Sequence, residues 1–440
     1  MSESDAAGGD RVSLVPAVAI VVGNMIGIGV FTGLGFQAAA FQSPFALLMV
    51  WVLGGVVAFC GALCYAELAA AIPRSGGEYH FLSRVYHPFF GFLSGWVSVT
   101  VGFAAPVAAA AMAFGGYLSE LYGVPRKVAS CLLVAVVTGV HLCSVRVGGR
   151  FQSVFTIAKV GLILGIVFWA FAVASGVGVS FVPRAGDWET MFSGPFAIAM
   201  FYVMYAYSGW NASTYIMDDV VEPRRTVPRS LLLGTGLVMV IYVLLNAAFL
   251  YTTPMDALAG SREKVALVAC REIFGIKGGE AVTLLIGFGL ISTVSAMTWA
   301  GPRVAMTMGE DRRLLSWLSW KSRHGVPRVA LLWQALVVLA LVATSSFEAV
   351  VIYIEVILVA ASFLTVGGIF YLRWREPELE RPYRAWGYPF TPLLFMGMSI
   401  WMLVYGVMER PAETFWGAVT LATGASGYGV SRYLERRRHD

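Results

Sequence analysis

The 440-residue chain is patterned as long apolar runs separated by short clusters of charge. The runs lie near 14–36, 43–71, 88–118, 128–145, 153–180, 193–217, 230–253, 280–307, 329–344, 350–372, 388–408 and 414–431. A helix needs about 20 apolar residues to cross a bilayer, so each run predicts a spanning helix, with 329–344 the shortest. None alternates with period two, which excludes a transmembrane β-barrel. The pattern therefore predicts an all-α polytopic membrane protein with twelve transmembrane helices. The longest non-apolar stretches, 254–279, 308–328 and 373–387, are loop-sized and rich in Pro and charge. They read as connectors, and no soluble domain is expected.

Composition narrows the function classes. The chain is 58% hydrophobic and 13% charged, with a mean hydropathy of +0.73. A soluble domain is about one-quarter charged and needs that polar surface to cover itself. A cytosolic enzyme, a disordered scaffold and a nucleic-acid binder are excluded as first readings, and the lipid bilayer is the expected surrounding. Cys60, Cys64, Cys131 and Cys143 fall in apolar runs, and Cys270 in an expected loop. Their spacing suggests neither a disulfide framework nor a metal site. Residues 1–10 are polar and slightly acidic, unlike a signal peptide, so the first span is expected to stay in the mature chain.

The charge of +5 is best explained by topology. With the N-terminus in the cytoplasm, the outside loops hold only Arg126, Lys127, Arg184, Arg262, Lys264, Arg271, Lys277 and Arg410 of the 31 Lys and Arg. The remainder, including Arg11, Arg146, Arg150, Arg323 and Arg436-Arg437-Arg438, fall inside, apart from Lys159 within a span. That excess predicts both termini in the cytoplasm. The terminal arginine triplet reads as an anchor for the last helix, with a lipid or nucleic-acid patch as the alternative.

Two spans carry their own interruptions. The first holds Gly23, Gly27, Gly29 and Gly33 around Met25, Ile26, Ile28, Val30 and Phe31. Either the helix unwinds there and exposes backbone groups, or the GxxxG spacing makes a packing face. The sixth holds Tyr205-Ala206-Tyr207-Ser208-Gly209-Trp210-Asn211. Interrupted helices five spans apart are the mark of an inverted repeat, whose half-helix ends face an anionic and a cationic group. An α-amino acid offers both.

These residues carry a resemblance. Gly27-Ile28-Gly29-Val30-Phe31, Tyr65-Ala66-Glu67-Leu68, Ile72-Pro73-Arg74-Ser75-Gly76-Gly77-Glu78-Tyr79 with Gly95-Trp96, Tyr207-Ser208-Gly209-Trp210-Asn211 and Arg381-Pro382-Tyr383-Arg384-Ala385-Trp386 appear in order. Over nearly its whole length the chain resembles the amino acid–polyamine–organocation (APC) superfamily of transporters, most closely the L-type, sodium-independent amino acid branch. The resemblance implies a 5+5 inverted repeat, the LeuT-like fold, with helices 1 and 6 broken. Residues 1–12 would form a cytoplasmic tail, 13–180 the first repeat, 193–376 the second, and 377–440 helices 11 and 12 with a basic tail. It implies an amino acid site at Met25, Ile26, Gly27, Ile28, Gly29, Tyr205, Ala206, Tyr207, Ser208, Gly209 and Asn211, with Tyr205 as an aromatic cover. Ile28 stands where the family often has Ser or Thr, so backbone N–H groups would hold the carboxylate. Ser208 would narrow the side-chain compartment, favouring small to medium neutral amino acids.

Two deep charges stand apart. Lys159, in the fifth span, is either a snorkelling side chain or, as the resemblance implies, an ammonium in the place of a sodium ion, tying helix 5 to helix 1 and able to carry the coupled proton. Glu355, in the tenth span, has no counterpart in the family pattern. It is a proton carrier, an outer gate partner, a recognition group for a cationic cargo, a carboxylate bonded to nearby backbone, or a near-surface group if the span starts later. Glu67, Asp218 and Asp219 fall near inner helix ends, where they either pair with arginines as a closing gate or are ordinary solvated ends.

The expected function is secondary active, sodium-independent amino acid transport by proton symport or exchange, with cationic amino acids or polyamines as the alternative cargo. A channel predicts a repeated filter or charged ring, which the sequence lacks. An intramembrane enzyme predicts catalytic motifs, also lacking; His80, His87, His141, His324 and His439 have no ligand spacing. No cofactor, metal, nucleic acid or accessory subunit is expected. The expected location is the plasma (inner) membrane.

Overall fold

The computed structural model describes residues 12–143, 148–322 and 326–436. Arg11, Arg146, Arg323, His324, Arg437, Arg438 and His439 lie outside the described residues, as do the side chains of Cys143, Arg150 and Arg436. The described chain is helical, without strands; a single parallel bridge joins Val12 to Val220.

The first run is split into α1 (Leu14–Met25), a 3-10 turn (Gly29–Phe31) and α2 (Gly33–Ala40). Then come α3 (Pro44–Ala71), the short α4 (Glu78–Val85), α5 (Pro88–Val97) and α6 (Ala104–Tyr122), the last two joined by a π-helical turn at Ser98–Gly102. α7 (Arg126–Cys143), α8 (Gly148–Ala172), the short α9 (Asp187–Met191) and α10 (Gly194–Tyr207) follow. After a 3-10 segment, Ala212–Asp219, come α11 (Pro223–Thr252), α12 (Met255–Ser261), α13 (Val265–Asp311), α14 (Arg328–Thr344), α15 (Phe347–Arg375), α16 (Phe390–Glu409) and α17 (Pro411–Arg436). Among the described residues, six helical stretches are long and apolar enough to cross a membrane: Pro44–Ala71, Pro88–Tyr122, Pro223–Thr252, Met255–Asp311, Phe347–Arg375 and Phe390–Glu409. The chain is an integral membrane protein.

Helix starts follow local chemistry. Ser43, Ser193 and Ser346 accept the N–H groups of Ala46, Phe196 and Ala349, satisfying donors with no intrahelical partner. Pro44 and Pro195 supply a pre-set φ in the first turn. On α7, Val128, Leu132, Val136 and Val140 recur every fourth residue and are all more than half exposed. Such a stripe on a chain this apolar faces lipid. Inside, α3 and α11 pack along each other, with α1 and α10 against them.

Three expectations need correction. The fifth span ends at Ala172 rather than 180, because Gly176, Gly178 (φ +75°) and Pro183 suit an irregular connection. The 254–279 stretch is not a plain loop: it holds α12 and the first part of α13, which turns sharply at Gly275 (φ +73°). Cys270 is therefore buried in a helix. The second half of the sixth run is a turn and a 3-10 segment rather than an α-helix.

Candidate functional site

The two interruptions face each other. α1 stops at Met25 and α10 at Tyr207, and Gly209 turns the chain with φ +94°. Gly29 lies directly on Ala206: a Cβ there would come within 2.5 Å of the Ala206 Cα. A Cβ on Gly209 would lie 3.0 Å from Asn24. The helix is unwound at 26–28, yet Gly29 is also a packing residue, so both meanings of the glycine pattern hold. Gly23 stays helical, and Gly27 has room for a Cβ, its nearest neighbour being Thr293 Cγ2 at 3.6 Å.

The freed backbone is only partly satisfied. Gly27 N–H donates to Met25 O at 2.8 Å, and Ile28 O accepts from Phe31 N–H and the Thr32 hydroxyl. Among the described residues, the N–H groups of Ile28, Gly29 and Val30 have no acceptor. They sit at the start of a 3-10 turn, where aligned peptide dipoles favour negative charge. Across the break, Tyr205 O accepts the Ser208 N–H and hydroxyl. Tyr242, fully buried on α11, places its hydroxyl 2.6 Å from Met25 O and 3.1 Å from Ala206 O. One side chain thus binds both broken helices.

Lys159 is buried, and its ammonium donates to Ile26 O at 3.2 Å and to the Thr293 hydroxyl at 2.9 Å. The side chain bridges α8, the unwound part of the first run and α13, and is enclosed by the protein. Its charge meets a loose carbonyl and a hydroxyl, the ligand types that bind a small cation.

Tyr205 is buried in the last turn of α10. Tyr207 turns away and donates to Trp51 O at 3.2 Å, within a cluster of Trp51, Tyr207 and Tyr242 rings. Ser208 is half-buried. The Asn211 amide donates to Glu78 Oε1, which also accepts the Tyr65 hydroxyl at 3.0 Å, while Glu78 Oε2 accepts the Tyr215 hydroxyl at 2.7 Å. Three donors from two elements converge on this carboxylate at the start of α4. Glu78, Tyr242 and Thr293 are contributors that sequence reasoning missed. Glu78 alone had a signal, as a carboxylate between the glycine pair and Tyr79 in the 72–79 motif.

Glu355 is 3% exposed in α15, so it is not a surface group. Its Oε2 has no hydrogen-bond partner among the described residues. Glu67 is also buried, at the end of α3, but fully engaged. Arg373 meets it with two bonds of 2.8 and 2.6 Å, Ala385 N–H donates at 2.7 Å, and Arg381 Nε lies 3.7 Å away. The expected pairing with arginines holds for Glu67. Asp218 instead exchanges bonds with Ser75, accepting its N–H at 3.3 Å and donating its own N–H to the Ser75 hydroxyl at 2.9 Å. That backbone exchange satisfies Asp218 locally without an arginine. Among the described residues no cluster of His, Cys, Asp and Glu has metal-binding geometry. A surface cavity of about 270 Å³ lies away from the breaks, between 42–45 and 180–187.

Comparison with known proteins gives the family. Residues 12–425 match the family described as "Amino acid permease". The human "Large neutral amino acids transporter small subunit 2" is 28% identical over 97% of this chain and 81% of its own length. The mouse "b(0,+)-type amino acid transporter 1" is 25% identical over 91% of this chain and 83% of its own. The mouse "Asc-type amino acid transporter 1" is 27% identical over 94% and 79%. The family and these relatives are transporters. With two helix interruptions joined at their loose carbonyls and a family match spanning almost every residue, the chain belongs to the amino acid permease family.

Proposed function

We propose that this chain is a sodium-independent secondary transporter of small to medium neutral amino acids. The observation carrying it is the junction of Met25 and Ala206 under the Tyr242 hydroxyl, which brings the two unwound segments to one point. In this reading twelve helices cross the plasma (inner) membrane, both termini are cytoplasmic, and 13–180 and 193–376 are inverted repeats. The cargo's carboxylate meets the free N–H groups of Ile28, Gly29 and Val30. Its ammonium meets the loose carbonyls of the first and sixth helices. Tyr205 closes over it, and Ser208 and Asn211 border its side chain. Access alternates by movement of one repeat against the other, and Lys159 fills the place of a sodium ion. The names of the relatives support amino acid cargo; the smaller size class rests on Ser208, since one relative is named for large neutral amino acids. One relative is named a small subunit; for this chain we propose transport without an accessory subunit.

Reconstitution of the purified chain alone in liposomes tests this. We expect saturable uptake of small neutral amino acids, unchanged by replacing sodium and accelerated by internal amino acid or by external acid. Dependence on sodium, or no uptake of any amino acid, would refute it.

A further inference from the structure

Glu355 combines three properties that rarely coincide: it is buried, it carries an unpartnered oxygen, and it faces the proposed site. On α15, Phe347, Val351 and Glu355 recur every fourth residue and share a face. Phe347 stacks on Phe36 of α2 with centroids 6.0 Å apart, and Phe36 stacks on Tyr202 of α10 at 5.0 Å. Tyr202 and Tyr205 share a face of α10. Glu355 therefore points into the seam where α15 meets α10, about 12 Å along its helix from the aromatic stack. The opposite face of α15 looks elsewhere: Tyr353 bonds Thr420 at 2.6 Å, and Ile357 lies against Gly417 of α17.

Other buried carboxylates here are satisfied. Glu67 meets Arg373 and Arg381, and Glu78 meets three donors. Among the described residues Glu355 makes no ion pair, and its Oε2 meets no donor. A buried acceptor without a donor is costly, and donors missing from the protein can come from the cargo.

We propose that Glu355 is the recognition group for the cargo's side chain, selecting amino acids whose side chain ends in a hydrogen-bond donor: a hydroxyl among neutral cargo, or an ammonium, which would widen the cargo class to cationic amino acids. This rests on the transport reading above, in which Tyr205 closes over the cargo. Leaving a polar site unpaired discriminates strongly against the analogue without the donor.

Isosteric pairs test it in proteoliposomes: threonine against valine, and 2,4-diaminobutyrate against norvaline, each by kcat/KM. Wild type should prefer the donor-bearing member of at least one pair by about tenfold, and Glu355→Met should reduce that to below about twofold while valine uptake persists. Glu355→Gln keeps an acceptor oxygen but no charge. It should retain the threonine preference and lose any preference for diaminobutyrate, and it decides the matter if Glu355→Met is inactive. The proposal fails if wild type shows no preference in either pair. It fails equally if neither variant changes a ratio, or if Glu355→Gln slows both members of a pair alike. That last outcome would mark a proton-carrying or structural role. Absence of all uptake by wild type would refute the transport reading itself, whereas uptake with unmoved ratios refutes only the role of Glu355.

Discussion

The Tyr242 hydroxyl lies 2.6 Å from the Met25 carbonyl oxygen, across 217 residues of sequence. The same hydroxyl is 3.1 Å from Ala206 O. A single proton is shared between the two carbonyls; Met25 O also accepts the Gly27 N–H, so among the described residues Ala206 O depends on Tyr242 alone. Tyr242→Phe removes it while keeping the ring contacts with Trp51 and Tyr207. A buried carbonyl left without its donor costs about 1–3 kcal/mol. We expect amino acid uptake to fall at least tenfold with the protein still folded, read by uptake alongside a thermal unfolding midpoint.

Gly29 and Gly27 should respond oppositely to the same change. Gly29→Ala pushes a methyl group against backbone at 2.5 Å, whereas Gly27→Ala meets nothing closer than 3.6 Å. Overpacking of this kind costs about 1–3 kcal/mol. Gly29→Ala should lower the unfolding midpoint by several degrees, and Gly27→Ala should leave it within error. Equal midpoints for the two variants would contradict the packing described.

Lys159 binds Ile26 O and Thr293, so Lys159→Ala leaves both without their donor. Uptake should drop by an order of magnitude or more. Normal uptake by Lys159→Ala, still without sodium dependence, would remove Lys159 from the mechanism.

The Glu67–Arg373 pair is strongly buried on the carboxylate side, at 2% exposure. Removing one partner of such a pair costs about 3–5 kcal/mol, whereas removing both costs far less. Glu67→Gln and Arg373→Met should each destabilise more than the double variant's additive share. A double-mutant cycle on unfolding midpoints with zero coupling would show that the two do not act together.

His80, on α4, has its imidazole pushed down to about 4, first by burial and then by the Arg74 charge. It is neutral in the folded protein, while the unfolded chain takes up a proton near pH 6.5. Stability from this residue is complete above about pH 6.5 and declines as pH falls toward 4. His80→Gln should lose less thermal stability than wild type between pH 7 and 5. Parallel losses would rule out a contribution from His80.

Helices were legible because a bilayer imposes one simple length and polarity rule on every span. Both interruptions were legible too, since glycine, serine and asparagine accumulate where helical spans ordinarily lack them. What escaped were partners rather than positions. Tyr242 is one aromatic inside a uniformly apolar run, and nothing local marks it as the group that holds Met25 and Ala206. Thr293 is likewise an ordinary small polar residue until Lys159 is folded onto it. Charge misled in the 254–279 stretch, where Arg262, Lys264 and Arg271 suggested a loop although the backbone is largely helical.

The segment between α15 and α16 is held in two tiers. Glu67, shielded from water, grips Arg373 and Ala385, while Arg84–Glu376 and Arg224–Glu380 tie its rim to α4 and α11 in the open. Salt screens exposed charges and scarcely touches buried ones. Rising ionic strength would therefore loosen the rim first and leave the inner clasp shut, so this face of the protein yields in steps rather than all at once.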